Sequence, residues 1–168
     1  TPKPSSAASD VYKRQVTENS GLQENQPQGF VDRYGNYIML GNFRTDTATI
    51  QGTTIQNTSD PSATTKGDAY IAKFDTNGIL LNVKHFSGSK YEQFTAIAYD
   101  GNDHYYAIGS FGGTMQIGTT TLVNTNTYGE RSFIVKFTLD GNPVWIKEFP
   151  EYMGCLLYTS DAADEGLG

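Results

Sequence analysis

Apolar and polar residues alternate with a period of two through much of this chain. Leu81 and Val83 alternate with Asn82 and Lys84, and Val144 and Ile146 alternate with Trp145 and Lys147. That period belongs to a strand, not to a helix. The runs YIAKF at 70–74 and FIVKF at 133–137 are β-branched and aromatic, the composition a pleated surface favours. Each is followed by a turn signal, DTNG or LDGN, and then by a further strand, which predicts hairpins. Asn77-Gly78 and Asp140-Gly141 supply the tolerance of positive φ that such turns need. Pro143 falls at a strand start, where a missing N–H does least harm. Upstream, TAIAYDGNDHYYAIGSF at 95–111 reads as another hairpin around GND. The alternation places Leu81/Val83 and Val144/Ile146 on one face and Phe86, Trp145 and Phe149 on the other. A sheet covered on both sides is therefore expected.

These elements recur. DRYGNYIMLGNF at 32–43 aligns without gaps to DGNDHYYAIGSF at 100–111, matching Asp32 to Asp100, Tyr37 to Tyr105, Gly41 to Gly109 and Phe43 to Phe111. DAYIAKFDTNGILLNVKHF at 68–86 aligns to RSFIVKFTLDGNPVWIKEF at 131–149, matching Ile71, Lys73, Phe74, Gly78, Lys84 and Phe86 to Ile134, Lys136, Phe137, Gly141, Lys147 and Phe149. The offset drops from 68 to 63 in the polar stretch between the two blocks, where QGTTIQNTSDPSATTKG is longer than IGTTTLVNTNTYGE. A duplicated unit with its length change confined to a loop follows. Each unit supplies two hairpins, with the Thr-rich segment between them as a small extra hairpin or loop. The expected fold class is all-β: two four-stranded antiparallel blades of the β-propeller type, with a β-sandwich or stacked hairpins as the alternative. Residues 29–94 form repeat 1 and 95–154 repeat 2, while 16–28 read as a linker or the end of a preceding repeat.

The two ends read differently. SSAASDVYKRQ at 5–15 can be written back into DNA whose reverse complement, read one base in, encodes CLLYTSDAADE at 155–165, and both resemble the translation of a transposase-based sequencing-library adapter. Residues 1–15 and 155–168 are therefore set aside as adapter-derived or unassignable before fold reasoning. Setting them aside removes Cys155, the single cysteine, and with it any disulfide framework, cysteine metal site or cysteine nucleophile. It also leaves the true N-terminus and any signal peptide unread.

Between residues 16 and 154, nine Lys plus Arg stand against fourteen Asp plus Glu, so the net charge is 9 − 14 = −5. No basic stripe is present, which argues against nucleic acid and anionic membrane surfaces. The longest apolar runs, such as YIML at 37–40, are far too short to insert in a bilayer as a helix. Richness in Gly, Thr, Asn and Tyr favours strands and turns, and low charge with many uncharged polar residues leans towards an extracellular protein.

The order of the second unit, YYAIGSF and then SFIVKFTLDGNPVWIKEF, resembles the bacterial seven-bladed β-propeller repeat proteins. The first unit departs from that pattern at Asn82, where the repeat usually carries Trp, and in its long 51–67 loop. The resemblance covers about residues 29–149. It implies a scaffold, typically part of a large secreted or surface-attached protein, and brings no chemistry with it.

Candidate chemistry is sparse. DGND at 100–103 clusters oxygens as a calcium loop would, without the alternating ligands or closing Glu, and Asp and Asn are also what tight turns select. His85 and His104 stand alone, without metal-ligand spacing to a second His or Cys. GSFGG at 109–113 is not followed by the GK[ST] of a phosphate loop. Asp75, Asp100, Asp103 and Asp140 are the carboxylates that glycoside hydrolysis would need, but all fall at turn positions. Tyr34, Tyr37, Tyr91, Tyr99, Tyr105, Tyr106 and Tyr128 suit sugar stacking and strand packing alike. Asn57-Thr58-Ser59 has the glycosylation pattern. Lys73/Lys136 and Lys84/Lys147 are the nearest thing to repeated polar residues that no turn requires, and both fit solvated strand faces or edges.

The expectation is thus a non-catalytic scaffold or binding fragment of an extracellular bacterial propeller, with no catalytic residue, metal or cofactor assigned and the ligand-binding residues unknown. Loops 51–67 and 112–131 present the contacts. Its partners are the rest of its own propeller and a carbohydrate or protein at the cell surface. The alternative is a piece of a carbohydrate-active propeller enzyme whose active site lies in other blades.

Overall fold

The computed structural model describes residues 28–126 and 129–149. The adapter-like ends, Cys155 and Tyr128 lie outside the described residues. Within them the chain is all-β. It runs β1 Gln28–Val31, β2 Tyr37–Phe43, β3 Thr47–Ile50, β4 Thr53–Gln56, β5 Asp68–Phe74 and β6 Leu80–Phe86. It then repeats the same order as β7 Glu92–Tyr99, β8 His104–Phe111, β9 Thr114–Ile117, β10 Thr120–Val123, β11 Arg131–Thr138 and β12 Pro143–Phe149. Strands β1-β2-β5-β6 form one four-stranded sheet and β7-β8-β11-β12 another, and every neighbouring pair in them is antiparallel. The Thr-rich segments are two-stranded hairpins, β3-β4 and β9-β10. The chain crosses between the sheets at residues 87–91, slightly ahead of the boundary that the alignment suggests.

Each four-stranded sheet has a turn end, carrying the β1–β2 and β5–β6 turns or their counterparts, and a linker end, carrying the inserted hairpin and the crossing. Gly78 and Gly141 take φ of 80° and 76° in the β5–β6 and β11–β12 turns, as their sequence signals require.

The sheets stack face to back. Ile38, Leu40, Ala69, Ile71 and Phe86 on the back of the first pack in one core with Tyr105, Ala107, Phe111, Phe133, Val135 and Phe137 on the front of the second. Phe86 meets Phe94 edge-on at 5.0 Å and Phe137 at 5.7 Å. Rings buried in this way contribute roughly 1.5–3 kcal/mol each. The front of the first sheet, with Tyr37, Met39, Phe43, Tyr70, Ala72 and Phe74, is covered by Ala48 and Ile50 of its own hairpin. Among the described residues, no helix is long and apolar enough to cross a membrane.

Alternation alone misplaces two residues. Leu81 and Val144 are 53% and 50% exposed. Both sheets carry a β-bulge there: Lys73 pairs Asn82 but Phe74 pairs Leu80, and Lys136 pairs Trp145 but Phe137 pairs Pro143. The bulge throws one residue out of the ladder and reverses the inward set beyond it, so Leu80 joins Val83 against the front core. Leu81→Ser is expected to change unfolding free energy by no more than about 0.5 kcal/mol, as surface changes do. Urea denaturation checks this, and a loss of core-residue size would mean that the bulge is absent.

Candidate functional site at the linker end

Residues 87–91 must leave one sheet and enter the next without stranding buried backbone groups. On one side the N–H of Asp60 donates to Ser89 O at 3.0 Å, Gly67 N–H to Lys90 O at 3.2 Å, and Glu92 N–H to Gly67 O at 2.7 Å. On the other side, Ser89 N–H donates to Thr114 O at 3.0 Å, Gln116 N–H to Ser87 O at 2.8 Å, and Gly112 N–H to Tyr91 O at 3.0 Å. The crossing is therefore an extended connection, with isolated bridges at Gly88 and Tyr91, clamped between loop 57–67 and residues 112–116. The glycine-rich run at 109–113 is explained here, because a Cβ on Gly113 would collide with Ser89 Oγ.

Behind the crossing lies a buried polar cluster. Asp68 is fully buried, and its Oδ2 accepts from Thr58 N–H at 2.9 Å, from Thr58 Oγ1 at 3.0 Å and from His85 Nε2 at 2.6 Å. Ser59 Oγ donates to Lys90 O and also faces Asp68 Oδ1 at 3.4 Å. Ser59 and His85 thus both turn to Asp68 and not to one another. This does not arrange a hydroxyl, a base and an orienting carboxylate in the relay that nucleophilic catalysis needs. Glu92 is also fully buried; its Oε1 accepts from Lys90 N–H at 3.2 Å, while Oε2 has no hydrogen-bond partner among the described residues. Burial pushes its carboxyl up to about 8 against the Lys90 hydrogen bond, and the charges of Asp68 and Glu130 push the same way. Glu92 therefore sits in the fold as a neutral acid near physiological pH.

Two open clefts flank the crossing. One, of about 470 Å³, is lined by hydroxyl and amide side chains including Thr58, Ser87, Ser89, Gln116 and Thr121, with Asp60. The other, of about 280 Å³, lies between Thr64, Thr65, Lys90, Tyr91 and Glu130. The first is lined from loop 57–67, the crossing and the β9–β10 hairpin, and the second from loop 57–67, the crossing, Gly112, Gly129 and Glu130.

The carboxylates singled out in the sequence lie at the opposite, turn end. Asp75 Oδ1 accepts from Asn77 and Ile79 N–H, both at 2.8 Å, and the Ile79 hydrogen bond foremost holds its pKa down. Asp100 caps its own turn at Asn102 and His104. Asp103 pairs with Arg33 at 2.8 Å, and Asp140 with Lys73 at 2.9 Å. Each is committed to a turn or an ion pair, and among the described residues no group of three or more His, Cys, Asp or Glu could hold a metal ion. His85 bonds Asp68, while His104 Nδ1 lies 3.5 Å from Asp100. Tyr37, Tyr91 and Tyr105 are core residues, and Tyr99 stacks on Phe30 at 4.6 Å. Tyr34 is exposed, and Tyr106 lies 6.0 Å from Trp145. Asn57 Oδ1 accepts from Ser59 N–H in a local turn.

The lysines are not alike. Lys73 is only 8% exposed, and with Lys84 it reaches across the sheet junction: Lys73 Nζ to Asp140 Oδ1 at 2.9 Å, and Lys84 Nζ to Asn142 Oδ1 at 3.3 Å. Arg33 likewise reaches Asn102 Oδ1 at 2.8 Å. The junction also holds Asn42, whose amide donates to Phe94 O at 3.1 Å and whose Oδ1 accepts from Phe94 N–H at 3.0 Å. The Phe94 backbone is open to capture because β7 bulges at Thr95. Asn42, Asp68 and Glu92 carry no signal in a single sequence, since in the alignment Asn42 stands opposite Ser110 and Asp68 opposite Arg131. A double-mutant cycle on Lys73→Ala and Asp140→Ala is expected to give a coupling of about 1 kcal/mol. Additive losses would show that the pair holds nothing.

A scan against protein-family models found no match for this chain, and a search of curated proteins found no relative of it.

Proposed function

We propose that this chain is a two-unit stretch of a larger β-propeller-type scaffold, extracellular or on a bacterial cell surface, whose role is binding without turnover. The observation that carries this reading is how the buried polar residues are used. Asn42 and Lys73 join one unit to the next, Asp68 holds Thr58 and Ser59, of which Ser59 fastens the crossing at Lys90, and none is directed into an open cleft as a reacting group. The cleft lined by Thr58, Ser87, Ser89, Gln116 and Thr121 offers hydroxyl and amide hydrogen bonds that a glycan or a protein loop would use.

The test has two arms. The source gene, read through with long reads from a library prepared without transposase, is expected to lose both adapter-like ends and continue into further copies of the unit. Adapter codons present in the genome would overturn that part. The purified chain is expected to retard in gels containing a recognised polysaccharide and to release no reducing ends. Reducing ends formed at a rate abolished by Asp60→Asn would replace binding with hydrolysis.

A further inference from the structure

The two sheets are equivalent in order and register, but their backs are not equally covered. In the first, β2 and β5 are buried on both faces almost throughout. In the second, β8 and β11 alternate strictly between buried and half-exposed over Tyr105–Gly109 and Phe133–Phe137. The half-exposed set, Tyr106, Ile108, Ile134 and Lys136, continues on β12 with Trp145 and Lys147, both exposed. Its counterparts in the first sheet are Ile38, Leu40, Ile71, Lys73, Asn82 and Lys84, which form the back that the second sheet covers.

The uncovered back also repeats the charge pattern of the covered one. Lys136 lies over the Tyr106 ring at 5.5 Å and Lys147 over the Phe149 ring at 5.9 Å. Neither forms an ion pair with any carboxylate among the described residues. At the occupied junction the equivalent Lys73 and Lys84 are met by Asp140 and Asn142, on either side of Gly141 in one turn.

We propose that the back of the second sheet is a docking surface for a further unit of the same kind, selected by Lys136 and Lys147 through an Asp-Gly-Asn turn. This rests on the scaffold reading and adds to it the chemistry that chooses the neighbour. The turn of the first unit places Asn77 and Ile79 where the second has Asp140 and Asn142. A second copy of this chain docking through its first sheet would therefore bring no carboxylate to Lys136. The occupant is a unit of the second type, and a turn without the carboxylate is a mismatched junction.

Trp145, the only tryptophan, sits on this face and reports on it directly. The test is a tandem chain in which residues 87–149 recur once after Phe149, with Trp145→Phe in the appended copy. Docking is expected to lower acrylamide quenching of Trp145 severalfold and to shift its emission to the blue, relative to the 168-residue chain. Asp140→Lys in the appended copy is expected to restore quenching, and Lys136→Glu in the host unit to protect the ring again. The proposal fails if Trp145 stays as accessible as in the 168-residue chain. It fails equally if the appended unit remains unfolded beside an intact host, because the host's back is what its front would pack on. Concentration-dependent protection of Trp145 in the 168-residue chain would assign the face to a second copy and overturn it too. The Lys73–Asp140 coupling keeps these failures apart from failure of the scaffold reading, since it concerns only the junction already formed.

Discussion

Glu92→Gln is expected to stabilise the protein by about 3 kcal/mol at neutral pH and to leave it nearly unchanged in mild acid. Glu92 is fully buried, and among the described residues one of its oxygens is unpartnered, so the charged form has lost its water and gained the Lys90 N–H there. Its folded pKa is pushed up to about 8 from the ordinary 4.5. Between those values the folded protein holds a proton that the unfolded chain has released. Stability from this site is therefore whole below about pH 4.5, falls as pH rises towards about 8, and flattens above it, where both states are ionised. Gln keeps the shape and removes the titration, so the two stability profiles should meet in acid and diverge up to about pH 8. The turn carboxylate of Asp75, held down by its backbone hydrogen bonds, acts at the acid end with the opposite sign in both proteins and cancels from the difference. Urea unfolding of both proteins across pH measures it. Parallel profiles would mean that the crossing at 87–92 is solvated and that Glu92 is not where the fold places it.

The backbone plan was legible in the sequence because repetition and period-two alternation are backbone signals. YIAKF–DTNG and FIVKF–LDGN specify a strand and its turn locally, and the gapless match between units gave the hairpins their order. Alternation failed at Leu81 and Val144 for a definite reason: a bulge inserts one residue, and nothing in either residue announces it. Lys73 was unreadable in another way. It occupies an ordinary strand position, and the partner that its ammonium reaches, Asp140, lies sixty-seven positions along the chain. Asn42 was invisible because its partner is the backbone of Phe94, which any residue supplies, and Asp68 because Thr58 and His85 come to it from separate segments that only the fold brings together. Strand pairing within a unit is written in side-chain pattern. The junction between units is written in contacts that only the fold brings together, and the polar cluster at the linker end belongs to that junction.

Gly109→Ala is expected to cost about 3 kcal/mol or more, the upper range for forcing extra volume into a packed core. Gly109 faces Phe133 across the β8–β11 pair, and a Cβ there would lie 2.6 Å from that ring and collide with the backbone oxygen of Gln93. The ring is fully buried and the carbonyl is fixed in the sheet, so neither can yield cheaply. Gly41 repeats the arrangement in the first unit, where the Tyr70 ring occupies the space of its Cβ. The three nearest atoms there all belong to that ring, and the ring is buried, so Gly41→Ala should cost about as much as Gly109→Ala. Gly101 is the control: its φ of +78° strains any Cβ, but nothing lies within 4 Å, so Gly101→Ala should cost only about 1 kcal/mol. Urea melts of the three variants rank them. Equal losses at Gly109 and Gly101 would reduce the glycine's role to backbone conformation. The expected order would instead identify the glycine–aromatic pair as the packing contact that both units share.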